Sequence, residues 1–115
     1  MKRAKQIALI TGATSGFGKL FAQKTDKQIK NSVDEIWIVG RRHKELMELS
    51  ENLNKPTVLF PLDLMEKESL DIISKRLQSE NVSVKMLVNA AGFGINTDFE
   101  ENSAKDVHNM VALNC

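Results

Sequence analysis

Ile7-Ala8-Leu9-Ile10-Thr11-Gly12-Ala13-Thr14-Ser15-Gly16-Phe17-Gly18 is the stretch that decides the fold. Four aliphatic residues run unbroken into a loop carrying Gly12, Gly16 and Gly18. Helical spacing then begins at Phe17, Leu20, Phe21 and Ala22. A short continuous apolar run fits a strand buried on both faces of a parallel sheet. In such a strand–loop–helix unit, glycine lets the backbone wrap, and the helix start offers unpaired N–H groups and a positive dipole end. That is the physics of anion binding, and a diphosphate is the expected guest. The spacing is G-x-x-x-G-x-G, not the G-x-G-x-x-G of the general dinucleotide fingerprint. No Gly-Lys-Ser/Thr follows, so it is not a Walker loop either.

Three more apolar runs follow: Ile36-Trp37-Ile38-Val39, Val58-Leu59-Phe60 and Met86-Leu87-Val88. Behind them come Leu46, Leu49 and Leu53, then Leu70, Ile73 and Leu77. After the last run, Ser103-Ala104-Lys105-Asp106 reads as a capping box ahead of Val107, Met110, Val111 and Asn114. Met47, Met65, Met86 and Met110 read as core filling. One such run taken singly is equally a buried helix; the fourfold alternation makes a doubly wound α/β sheet of four βα units. No linker or composition shift divides residues 1–115, which read as one domain. All six glycines (Gly12, Gly16, Gly18, Gly40, Gly92 and Gly94) follow the carboxyl end of an expected strand. Open α/β sheets bind ligands outside those ends.

Composition closes off other classes. Sixteen Lys and Arg against 15 Asp and Glu leave a net charge of +1 with 42% apolar residues, which fits a globular domain and not a strongly basic nucleic-acid binder. The one cysteine, Cys115, permits no internal disulfide and no cysteine metal cluster. His43 and His108 stand apart without paired carboxylates, so no metal site is expected. The apolar run of residues 7–10 is far short of the about 7–15 residues of a signal peptide or the about 20 of a membrane span. A cytoplasmic protein with no membrane partner is the expectation.

Four features in order give the chain its resemblance to a family. Thr11 to Gly18 reads T-G-x-x-x-G-x-G, and Asp63-Leu64 follows the third run. Asn89-Ala90-Ala91-Gly92 follows the fourth, with Ala90 where the family signature has a second Asn. Asn114 closes a Val-Ala-Leu-Asn stretch. Spread from residue 11 to 114, these resemble the short-chain dehydrogenases/reductases. The resemblance implies a Rossmann-type sheet of strand order 3-2-1-4 around a nicotinamide dinucleotide. Gly12, Ser15, Gly16, Phe17 and Gly18 would line the diphosphate and nicotinamide ribose. Asp63 and Leu64 would meet the adenine, and Asn89, Ala90, Ala91 and Gly92 would back the nicotinamide-side ribose.

The second strand ends at Gly40-Arg41-Arg42 with no acid at residues 39–42. A carboxylate there accepts from the ribose 2′-OH of NAD, whereas guanidinium groups suit a 2′-phosphate. Arg41 and Arg42 therefore favour NADP(H) over NAD(H). Many NADP-selecting relatives carry a basic residue just before the second loop glycine; here Ser15 stands there, so discrimination would rest on the arginines.

The family's reaction is hydride transfer between the nicotinamide and a carbonyl or alcohol, served by a Ser, a Tyr-x-x-x-Lys pair and an Asn. Asn114 is the counterpart of that supporting Asn; the chain contains no tyrosine, and the Ser, Tyr and Lys have no counterparts. The chain is expected to be the N-terminal, cofactor-binding half of an NADP-dependent oxidoreductase, truncated before the catalytic segment. A truncated reading frame, a fragment or one piece of a split protein all fit. Such a half would leave Lys85 to Ala91 as a bare apolar sheet edge, an association hazard. Two other readings stand beside it: a non-catalytic NADP-binding or interaction module, and an inactive remnant. A small-molecule carbonyl or alcohol is the expected substrate, and a homo-oligomer is plausible by resemblance.

Overall fold

Alternating apolar runs and amphipathic stretches become alternating strands and helices. The structure, a computed structural model, describes residues 4–29 and 32–90 together with the backbone of 95–96. The elements are β1 (Lys5–Thr11), α1 (Gly16–Lys27), β2 (Glu35–Gly40), α2 (His43–Glu51), β3 (Thr57–Pro61), α3 (Lys67–Ser79), β4 (Val82–Asn89) and β5 (Ile95–Asn96). The strands lie in the order β3-β2-β1-β4-β5. The first four of that order are parallel, which is the expected 3-2-1-4 arrangement of a Rossmann-like sheet.

β5 is antiparallel to β4 and pairs Asn96 with Leu87 and Ile95 with Val88. This corrects the expectation of a bare edge along Lys85 to Ala91 in part, since Leu87 and Val88 are covered. The backbone groups of an edge strand pair with any extended segment that reaches them, and here the chain itself supplies a short one.

Side chains on a strand alternate between faces, and both faces of this sheet are covered. Ile7, Leu9, Trp37, Val39 and Phe60 pack with Ile73 and Leu77 of α3 on one side. Ala8, Ile10, Ile36 and Ile38 pack with Ala22 of α1 and Leu46 and Leu49 of α2 on the other. β4 keeps to this scheme through a bulge. Ile7 pairs with Val84 and Ala8 with Met86, so Lys85 has no partner in β1. The extra residue reverses the parity of everything after it: Val84 and Leu87 share the α3 face, while Met86 and Val88 face α1.

Several apolar residues of the expected helices lie outside the core, two of the methionines read as core filling among them. Phe17 and Leu20 are exposed, because the buried stripe of α1 is Gly18, Ala22, Thr25 and Asp26. Met47 and Met65 are exposed as well, whereas Met86 packs against the core. The helix expected from Ser103, with Met110, lies outside the described residues. Among the described residues, no helix is long and apolar enough to cross a membrane.

Candidate cofactor site

The loop after β1 is built from the backbone outward. Gly12 has φ 64°, the left-handed conformation that a side chain disfavours, and it turns the chain off the end of β1. Ala13 N–H then donates to Val39 O at 2.9 Å, and Ala90 N–H donates to Thr11 O at 3.0 Å, tying the loop to β2 and β4. Ser15 closes the turn as the N-cap of α1. Its hydroxyl donates to Gly12 O at 2.7 Å and accepts from Gly18 N–H at 3.1 Å. The N–H groups of Gly16 and Phe17 lie in the first turn of the helix, where no intrahelical acceptor exists.

Gly18 shows why the spacing ends in glycine. A Cβ there would lie 2.0 Å from Gly12 O and 2.7 Å from Ala13 Cα, so α1 rests directly on the loop backbone. At Gly16 a Cβ would meet nothing within 4 Å. The two glycines serve different ends: one allows backbone packing, the other leaves the helix start open to approach.

An open cleft of about 550 Å³ lies at the carboxyl ends of the four parallel strands. It brings together Gly12 and Ser15 from the first loop, Arg41 and Arg42 after β2, Asp63 and Leu64 after β3, and Ala90 after β4. The Asp63 side chain accepts from Met65 N–H at 2.9 Å, and Asp63 O accepts from the Ser69 hydroxyl at 2.6 Å, fixing the turn into α3.

Other expected residues sit elsewhere. Gly16, Phe17 and Gly18 are in the first turn of α1 but outside the cleft lining. Asn89 is buried beneath the floor, where its side-chain oxygen accepts from the Thr11 hydroxyl at 2.7 Å. Ala91, Gly92 and Asn114 lie outside the described residues. Sequence reasoning missed Thr14, Leu62 and Met65, and above all Glu45. Glu45 Oε1 is 3.2 Å from Arg42 Nη1. Residues 39–42 hold no acid, but the cleft does, three positions into the next element. The i, i+3 spacing of Arg42 and Glu45 at the start of α2 was the available signal.

The residues present fit a dinucleotide. The positive-φ turn at Gly12 and the open start of α1 at Gly16 leave backbone accessible to a phosphate, and Arg41 and Arg42 line the same cleft as Gly12. Comparison with known proteins agrees with this architecture. Residues 6–115 match the family model for short chain dehydrogenases. The NADP-dependent 3-hydroxy acid dehydrogenase YdfG of Salmonella typhi is 28% identical over 109 residues, covering 94% of this chain and 42% of YdfG. The crystal structure of serine dehydrogenase from Escherichia coli aligns with a TM-score of 0.63 at 29% identity, over 77% of this chain and 39% of that one. The closed form of serine dehydrogenase complexed with NADP+ aligns with a TM-score of 0.59 at 27% identity, over 70% of this chain and 31% of that one. The chain spans less than half the length of the curated relatives it matches. With the match running through the strands, the glycine loop and the cleft they enclose, the chain belongs to the short-chain dehydrogenase family.

Proposed function

We propose that this chain forms the NADP(H)-binding part of a cytoplasmic oxidoreductase that interconverts a carbonyl and an alcohol on a small molecule. The observation that carries the reading is the placement of Arg41 and Arg42 in the same cleft as the Gly12 loop and the Asp63-Leu64 turn. The NADP dependence named for YdfG and the NADP+ complex of serine dehydrogenase support it.

When bound, the dinucleotide supplies the hydride donor or acceptor. The chain's own residues hold it. The N–H groups of Gly16 and Phe17 meet the diphosphate at the positive end of α1. Gly12 and Gly18 keep that helix start pressed onto the loop, with Ser15 as its cap. Arg41 and Arg42 take the 2′-phosphate. Asp63 and Leu64 border the adenine, while Ala90, Ala91 and Gly92 border the nicotinamide-side ribose. Asn89 acts from below, by fixing the end of β1 through Thr11. Asn114 is the supporting catalytic residue. The tyrosine that exchanges the proton in this family is not among the 115 residues.

Titration followed by nicotinamide fluorescence tests the reading. NADPH is expected to bind more tightly than NADH. Arg41→Asp combined with Arg42→Ala is expected to weaken NADPH far more than NADH; equal losses would refute the 2′-phosphate assignment.

A further inference from the structure

Arg41 and Arg42 are adjacent in sequence and share a cleft, but their electrostatic situations differ. Arg42 is paired with Glu45 across the first turn of α2. Arg41 makes no ion pair among the described residues. Glu45 is held in place twice over, by Arg42 and by the N-terminal end of α2, where a carboxylate is favoured by the helix dipole. Its side chain is 34% exposed and lines the cleft, whereas that of Arg42 is 71% exposed.

We infer that Glu45 sets how strongly this cleft prefers a 2′-phosphate, by holding Arg42 in an ion pair and leaving Arg41 to carry most of that contact. The inference rests on the NADP(H) reading above. Glu45 offsets one of the two positive charges that Arg41 and Arg42 offer a dianionic phosphate, in a cleft that Asp63 also lines. A phosphate that engages Arg42 has to share its guanidinium with Glu45 and is repelled by the carboxylate. A ribose 2′-OH meets no such repulsion and can donate to a carboxylate. Glu45 therefore narrows the preference for the phosphorylated cofactor from both sides.

The test compares 2′,5′-ADP with 5′-AMP by calorimetric titration, since the two probes differ in the 2′-phosphate alone. Glu45→Gln is expected to raise the ratio of their affinities about 3–10-fold, the range open to partly exposed charges, and the gain shrinks as salt is added. Arg41→Ala lowers the ratio more than Arg42→Ala does. On an Arg42→Ala background, Glu45→Gln gives a smaller gain. Glu45→Asp, which keeps the charge in the cleft, stays near wild type, and circular dichroism confirms that each variant folds. A wild-type ratio near one overturns the NADP(H) reading and this inference with it. A wild-type ratio well above one that Glu45→Gln leaves unmoved or lowers overturns the inference alone, as does an undiminished gain without Arg42.

Discussion

The Thr11 hydroxyl donates to the Asn89 side-chain oxygen across the β1–β4 ladder, 2.7 Å away, with both residues shut off from water. The pairing exists because of the bulge at Lys85. Without that extra residue Thr11 would stand opposite Val88, and Asn89 would point to the other face. The bulge thus sets what lies under the floor of the cleft. Thr11→Val keeps the shape and removes the donor, and is expected to cost about 1–2 kcal/mol in urea unfolding. Because Asn89 supports the cleft from below, the variant is also expected to weaken NADPH and NADH alike. A selective loss of NADPH would contradict that role.

Gly16 and Gly18 look equivalent in the motif and differ in the structure. A methyl group at residue 18 runs into the carbonyl of Gly12 and the Cα of Ala13, both backbone atoms that have little room to give. Gly18→Ala is expected to cost more than about 3 kcal/mol, at or beyond the usual range for an overpacked site. Gly16→Ala meets nothing within 4 Å and is expected to unfold at the wild-type urea midpoint. If NADPH binding falls in Gly16→Ala while stability holds, Gly16 is a cofactor contact; unchanged binding removes it from the site.

Strands were legible here because continuous aliphatic runs such as Ile7 to Ile10 and Ile36 to Val39 have few other ways to be buried. Helix faces were less so. Counting apolar residues along α1 points to Phe17 and Leu20, yet its buried stripe is Gly18, Ala22, Thr25 and Asp26. Close packing of the helix start on a loop selects small residues, and a buried carboxylate is retained for its hydrogen bonds. Neither registers as hydrophobicity. The bulge at Lys85 and the strand Ile95–Asn96 were hidden for a related reason, since both are settled by backbone pairing. Glu45 is less legible because it stands beyond the end of β2, while the cleft extends onto the first turn of α2.

Asp26 gives that buried stripe its purpose. Its carboxylate accepts from Asn54 N–H at 2.9 Å and from Lys55 N–H at 2.8 Å, fastening the end of α1 to the turn that leads into β3. Those N–H groups are partly buried, so losing the acceptor leaves them only partly compensated by water. Asp26→Ala is expected to lose about 2–3 kcal/mol of unfolding free energy, in line with hydrogen bonds to a charged group, and Asp26→Asn to lose less. Proteolysis should then cut first in the turn of residues 52–56. Resistance there equal to wild type would mean that the turn is held by other contacts.

Glu35 supplies the pH dependence. It opens β2 and accepts from Trp37 Nε1 at 3.0 Å and from Lys5 Nζ at 2.9 Å. Burial pushes its carboxyl up, but the Trp37 indole and the Lys5 ammonium outweigh burial and hold it below the usual 4.5. A depressed carboxylate contributes stability that is complete above 4.5 and is lost as pH falls through the lower folded value. The same pair raises the Lys5 ammonium above its usual 10.5, so its share is complete below 10.5 and disappears as pH rises through the folded value. Glu35→Gln does not titrate. Urea midpoints measured down the acid limb are therefore expected to fall less steeply for Glu35→Gln than for wild type, and Lys5→Met to lie between the two. An acid limb equally steep in all three proteins would show that other carboxylates govern the acid transition.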